Sequence, residues 1–323
     1  MSKTRLVMAV AAVAWIAGSV LVVFSYNDEL GRARAVASGG GRMANTSVGP
    51  IEYAEKGTGA ALLAIHGAGG GYDQGLSTAA DLVGNGFRVI APSRFGYLGT
   101  PVPADTSPAA QADAHAALLA ELNVDKVIVV GVSAGTRSAV ALALRHPDRV
   151  AALILMVPAT YAPASPVAIE RSRGSAFAFW LVSAGADFTW WAIEKIAPSM
   201  LIRFLGVPPE VFTSVSNADQ DRVMQIVRSV QPLSLRFRGI NIDSNPMVDR
   251  PALEAITAPT LIVSARDDLF NTLPAAAFAA ATIRNAKLVV YETGGHLLVG
   301  HDREVRALVG NFLRGAGVAG IQH

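Results

Sequence analysis

The chain contains no cysteine among its 323 residues. That excludes disulfides, thiolate metal sites and a cysteine nucleophile, and it says nothing of compartment, because oxidising and reducing environments both tolerate a thiol-free chain. Charge is sparse too: 16% of residues are charged and the formal net charge is +2. The basic residues are scattered, with no block that would form an electrostatic footprint for nucleic acid. There is no H-E-x-x-H stretch and no histidine–carboxylate cluster at ligand spacing, so no metal is expected. No G-x-x-x-x-G-K-(S/T) loop and no internal repeat is visible, and nothing calls for a cofactor. The oligomeric state leaves no mark in the sequence.

What the chain has in quantity is apolar residues, 51% of the total. A length of 323 residues suffices for one large domain or two modest ones with a sizeable core. The most concentrated run is "LVMAVAAVAWIAGSVLVVF", residues 6–24, with no charge until Asp28. Nineteen helical residues rise roughly 28 Å, close to the hydrocarbon thickness of a bilayer. A membrane anchor is therefore expected over 1–26. A cleaved signal is the rival, with "AVA" at 35–37 as an A-x-A-like site, although the run exceeds the usual apolar core of a signal. Lys3 and Arg5 precede the run, and Arg32, Arg34 and Arg42 follow it. The expectation is a soluble domain on the outer side of the membrane, periplasmic or extracellular. Residues 27–47, including "ASGGGRMANTS", have the composition of a flexible linker.

From residue 50 onward, short apolar runs alternate with helix-like segments. The runs are "ALLAIHG" (61–67), "FRVIAP" (87–92), "KVIVVG" (126–131), "VAALILMVP" (150–158), "TLIVSA" (260–265) and "KLVVYE" (287–292). Continuous apolar runs of this length fit strands buried on both faces, and their alternation with helices predicts an α/β fold with a mostly parallel sheet covered on both sides. The alternation stops between Pro158 and Pro251, where Phe177, Phe179, Trp180, Phe188, Trp190, Trp191, Phe204 and Phe212 cluster without a strand pattern. The expected layout is a core in two parts, 48–158 and 252–323, with a helical cap, 159–251, over the carboxyl ends of the strands.

"KVIVVGVSAGTRSAVALAL" reads as strand, G-x-S-x-G, helix. A serine at the apex of a tight strand–helix turn adopts a strained backbone that lifts its hydroxyl above the sheet. Ser133 is therefore a candidate nucleophile, and the following amide, of Ala134, a candidate oxyanion donor at a helix N-terminus. A serine needs a base, and the chain holds six histidines. His115 and His146 lie in or at the end of helical stretches and read as surface residues, and His301 and His323 fall near the C-terminal end. His296, in "YETGGHLLVG", occupies a glycine-framed loop after the last apolar run and is the best candidate. "LIVSARDDLF" places Asp267 and Asp268 after another strand, giving the order serine, acid, histidine; either aspartate fits at this point.

On "HGAGGG", "APSRFGYLGTP", "GVSAG", "SARDDLF" and "GGHLLVG", residues 50 to 315 resemble the α/β-hydrolase superfamily in its cap-bearing branch. The resemblance implies Asp268 as the acid, the third residue after Ala265, with Asp267 in reserve. It implies an HG loop at His66, Gly67 and Gly69, with the Ala68 amide as second oxyanion donor, Gly69 next, and His66 bracing the loop. A dinucleotide loop from Gly67 would need glycine where Tyr72 stands. Ser93 departs from the family pattern, where many members carry an aspartate.

The function expected from this resemblance is serine hydrolysis of an ester-like bond, carboxylester or lactone, in a small or lipid-like apolar molecule. A carbon–carbon bond hydrolase, a haloperoxidase-like enzyme and a non-catalytic membrane-tethered binding protein are the alternatives. Epoxide and haloalkane hydrolases need a carboxylate where Ser133 stands.

Overall fold

The computed structural model describes residues 3–163, 185–247 and 249–317. Eight strands form one sheet: β1 (Arg42–Thr46), β2 (Gly49–Lys56), β3 (Ala60–Ile65), β4 (Phe87–Pro92), β5 (Val127–Val132), β6 (Val150–Met156), β7 (Thr260–Ala265) and β8 (Ala286–Tyr291). Their order is β1-β2-β4-β3-β5-β6-β7-β8. All pairs from β4 to β8 are parallel, while β2 is antiparallel to both β1 and β4. The six strands expected from continuous apolar runs are β3 to β8.

Helices α2 (Tyr72–Val83), α3 (Pro108–Glu121), α4 (Gly135–Arg145), α10 (Leu273–Thr282) and α11 (Asp302–Gly315) cover the sheet. Successive strand residues face opposite sides, and the core divides accordingly. Leu63, Val129, Leu153 and Ile262 pack with α3, α4 and α10, whereas Leu62, Ile128, Ile154 and Val263 pack with α2 and α11. Ser107 caps α3 by accepting from the Ala110 amide, with Pro108 in the first turn where its missing N–H costs nothing.

Between β6 and β7 lie α5 (Asp187–Ile196), α6 (Pro198–Phe204), α7 (Pro209–Ser214), α8 (Asn217–Ser229) and α9 (Phe237–Asp243). They share a core of Trp190, Leu201, Ile202, Val223, Val227 and Ile240. Phe177, Phe179 and Trp180, expected in the cap, lie outside the described residues, as does His323.

The segment 27–47 differs from the expected flexible linker. Helix α1 runs unbroken from Lys3 to Gly39, and β1 begins at Arg42. Two causes extend the helix. Residues 27–37 are mostly helix formers, with an Asp28–Arg32 pair one turn apart. The segment also docks: Leu30 and Ala37 are buried, and the Tyr72 hydroxyl bonds the carbonyls of Val36 and Ala37.

Candidate active site

Ser133, Asp268 and His296 follow β5, β7 and β8, at the carboxyl edge of the sheet. Ser133 sits at φ 49°, the left-handed region that costs a non-glycine residue of order 1–3 kcal/mol. The flanking glycines make the turn possible. A Cβ on Gly135 would lie 2.4 Å from the His66 carbonyl oxygen, and one on Gly131 would lie 2.7 Å from Ala139 Cβ. The Ser133 amide donates to the Met156 carbonyl, which anchors the turn to β6.

The structure brings the three side chains together. His296 Nε2 lies 2.8 Å from Ser133 Oγ, and Nδ1 lies 2.8 Å from Asp268 Oδ2. An ionised carboxylate only accepts, so Nδ1 carries the proton and Nε2 accepts from the serine hydroxyl. Burial raises the Asp268 pKa, but the His296 charge and hydrogen bonds from His296, Thr272 and the Phe270 amide outweigh it and hold this carboxyl below its ordinary value. The Phe270 ring meets the imidazole edge-on at 4.6 Å and fixes its plane.

Asp267, held in reserve by the sequence, turns away from His296. Its carboxylate accepts from the amides of Gly294 and Gly295 at 3.2 and 2.8 Å, and so shapes the loop that carries His296.

The HG loop lies against the serine turn: a Cβ on Gly67 would come within 3.2 Å of Ser133 Cβ. Among the described residues, neither the Ala68 nor the Ala134 amide donates to a protein acceptor. The Gly69 amide, by contrast, donates to the Tyr97 hydroxyl at 3.3 Å. His66 is buried, with Nδ1 donating to the Gly67 carbonyl at 2.7 Å and Nε2 accepting from the Arg94 amide at 3.0 Å. Burial first, and then the Arg94 charge, push its pKa well below the ordinary histidine value.

Several residues of this site were not singled out by the sequence. Arg94 forks onto Asp243 at 2.7 and 2.6 Å while its Nε donates to the His66 carbonyl, and the Tyr97 hydroxyl donates to the same aspartate. Arg236, fully buried, donates to the Gly70 carbonyl at 2.6 Å and pairs with Asp73. Asp243 and Arg236 both belong to the cap, so the cap holds the HG loop at two points. A third cap residue, Gly206, accepts through one carbonyl from the amides of Leu269 and His296. Ser93 donates to Glu52 at 2.8 Å, so a carboxylate from β2 meets the position where the family pattern has its own acid.

Ser133 and His296 open onto a cavity of about 630 Å³. Its apolar lining includes Val157, Trp190, Phe204, Leu205 and Val230, and the exposed Val36 of α1 lies at its edge.

The profile of the α/β hydrolase fold matches residues 60–300. The chain belongs to the α/β-hydrolase fold family. It is 27% identical over 287 residues to the 2-hydroxymuconate semialdehyde hydrolase of a Pseudomonas species, spanning 83% of this chain and 91% of that protein. It is 29% identical over 262 residues to the pimeloyl-(acyl-carrier protein) methyl ester esterase of Aromatoleum aromaticum, spanning 79% and 98%. The solved α/β hydrolase fold protein from Nakamurella multipartita superposes with a TM-score of 0.68 at 27% identity, over 86% of this chain and 99% of that one. With this fold and relatives named hydrolase and esterase, the chain is an enzyme.

The charges along this hydrolase's cavity are mostly paired. Asp73, Asp81, Asp243 and Asp302 line it with one arginine, Arg222, whose guanidinium is paired with Asp302. The nearby Arg94 and Arg236 are committed to Asp243 and Asp73. Among the residues that line the cavity, no arginine or lysine is left without a carboxylate partner.

Proposed function

We propose that this hydrolase cleaves neutral, apolar carboxylic esters or lactones through an acyl-enzyme on Ser133. The Ser133 oxygen attacks the carbonyl carbon as its proton passes to His296 Nε2, and Asp268 stabilises the imidazolium. The oxyanion is received by the amides of Ala68 and Ala134, each such donor contributing about 3–4 kcal/mol to the barrier reduction. Collapse expels the alcohol, which takes the proton from His296. Water then attacks the acyl carbon with His296 as base, freeing the acid and restoring Ser133. The supporting observation is the unbroken 2.8 Å contacts from Ser133 to His296 to Asp268 at a strained turn. Ser133→Ala should abolish hydrolysis of p-nitrophenyl butyrate in a folded protein; a rate equal to wild type would remove the serine from the mechanism.

The second reading is carbon–carbon hydrolysis, favoured by the likeness to a 2-hydroxymuconate semialdehyde hydrolase. A muconate semialdehyde carries a carboxylate, and a lining whose one arginine is already paired offers it no free cation, which favours a neutral ester instead. Parallel assay of short esters and of that semialdehyde separates the two: faster turnover of the semialdehyde would reverse the preference.

The same proposal takes α1 as a retained membrane anchor. Residues 6–24 are apolar and uncovered, and α1 is long and apolar enough to cross a bilayer. Cleavage after "AVA" at 35–37 would remove buried Leu30 and Ala37, and with them Val36 from the cavity. Mass spectrometry of the membrane fraction should find the N-terminus upstream of residue 6; a mature N-terminus after Ala37 would make α1 a signal.

A further inference from the structure

Helix α1 changes character near residue 25. Among the described residues the run 6–24 has no buried member, with Leu21 69% and Phe24 72% exposed. One turn later the helix is held by the cap. Tyr26 meets Phe188 and Trp191 edge-on at 5.2 and 5.7 Å, Glu29 pairs with Lys195 at 2.7 Å, and Arg34 lies 3.7 Å from Asp187. All four cap partners belong to α5. Along the helix axis, Tyr26 stands about 3 Å and Glu29 about 8 Å beyond Phe24. The polar layer on each side of the hydrocarbon is roughly 5–8 Å deep. A bilayer that holds residues 6–24 therefore brings its headgroup layer level with the part of α5 that meets Tyr26 and Glu29, while Arg34, about 15 Å beyond Phe24, lies past it.

That part of the cap is apolar and uncovered. Phe188 is 49% exposed, Ile196 at the end of α5 is 82% exposed, and Met200 on α6 is 48% exposed. Exposed apolar side chains of this size along α5 and into α6 mark a contact surface, and aromatic rings beside a lysine are the composition of interfacial belts. Lys195 lies over the Trp191 ring at 5.9 Å and pairs with Glu29, while Glu194 pairs with Arg228, so these four charges cancel. Trp190 points the other way: two positions, about 200°, from Phe188 on the same helix, it is buried and lines the cavity beside Ser133. One helix thus stands between the exposed surface and the cavity.

We propose that the surface formed by Phe188, Ile196 and Met200 rests in the interfacial layer of a phospholipid bilayer, as a second contact beside α1. The contact seats the cavity at the membrane, and the substrate class is the water-insoluble ester of a bilayer amphiphile. This rests on α1 being a retained anchor and on Ser133 being the nucleophile.

A chain without cysteine allows single-site labelling. Ile196→Cys and Met200→Cys, with Asp125→Cys at the amino end of β5 as control, would carry nitrobenzoxadiazole in the full-length chain reconstituted in phosphatidylcholine vesicles. Nitroxide-labelled lipid should quench positions 196 and 200 at least about threefold more than position 125. Equal quenching at all three would overturn the contact. Protection of 196 and 200 from both lipid nitroxide and aqueous iodide would also overturn it, in favour of a second copy of the chain.

The double variant Ile196→Asp, Met200→Asp should lower hydrolysis of a fluorogenic diacyl ester held in the vesicles by about tenfold or more and leave p-nitrophenyl butyrate within about twofold. An unchanged ratio of the two rates would count against membrane loading. The labels at exposed positions remain decisive if the double variant misfolds. Failure of the chain to float with the vesicles would remove the anchor and this proposal together. Retention of both activities in Ser133→Ala would remove the nucleophile while the labels still judge the contact.

Discussion

Tyr97 ties the cap to the loop that faces Ser133. Its hydroxyl donates to Asp243, accepts from the Gly69 amide, and is kept protonated by burial and by the Asp243 charge, which raise its pKa well above the ordinary phenol value. Tyr97→Phe frees the Gly69 amide, one residue from the proposed donor of Ala68. The expected result is a fall in kcat of about tenfold with KM within about twofold, because the loss is felt where charge develops in the transition state. A lower melting temperature with kcat intact would make Tyr97 a packing residue only. His115 carries a second residue-scale consequence. The sequence placed it on the surface, yet it is fully buried against α4, with Nε2 beside Ser138 Oγ. The Ala-rich stretch "QADAHAALLAEL" has no polar face strong enough to show which side turns inward.

At the scale of elements, the second half of α1 is part of the folded domain. Leu30→Ala should lower stability by about 2 kcal/mol in denaturant unfolding, as expected for truncating a buried leucine at the edge of a core. A change below a few tenths would mean that this half of α1 peels off in solution. Strands β3 to β8 were legible because strands covered on both faces need apolar residues at every position. Strands β1 and β2 were not, because "RMANT" and "GPIEYAEK" lie at the antiparallel edge with one side in water and carry charges. The turns that bring Ser133, Asp268 and His296 together were legible because their steric demands leave glycines and polar residues at fixed spacing. Arg94, Tyr97, Arg236 and Asp243 were not, because a buried ion pair forms between residues 149 positions apart in one case and 163 in the other. Only the placement of the cap over the HG loop makes those pairs.

At the scale of the whole molecule, the buried neutral histidines His66 and His115 make stability fall in acid. Burial first, with the Arg94 charge adding to it, lowers the His115 pKa from 6.5 to about 3. Above pH 6.5 the ring is neutral in both states. As pH falls below that value, the unfolded chain takes a proton that the folded chain refuses until about pH 3, so stability falls across the window. At pH 5 this one residue should cost about 2 kcal/mol relative to pH 7. His115→Gln should shrink the difference between urea unfolding free energies at pH 7 and pH 5; an identical difference would place the acid sensitivity elsewhere.

The same molecule joins a membrane-length helix, a cap held to that helix and a cavity beneath the cap, all converging on Ser133. The most direct measurement is therefore made on that residue. Full-length protein treated with a fluorophosphonate and digested should show one modified peptide, bearing the phosphonyl group on Ser133, and Ser133→Ala should show none. A folded wild-type chain that stays unmodified, or a Ser133→Ala chain modified to the same extent, would contradict a serine nucleophile at this site.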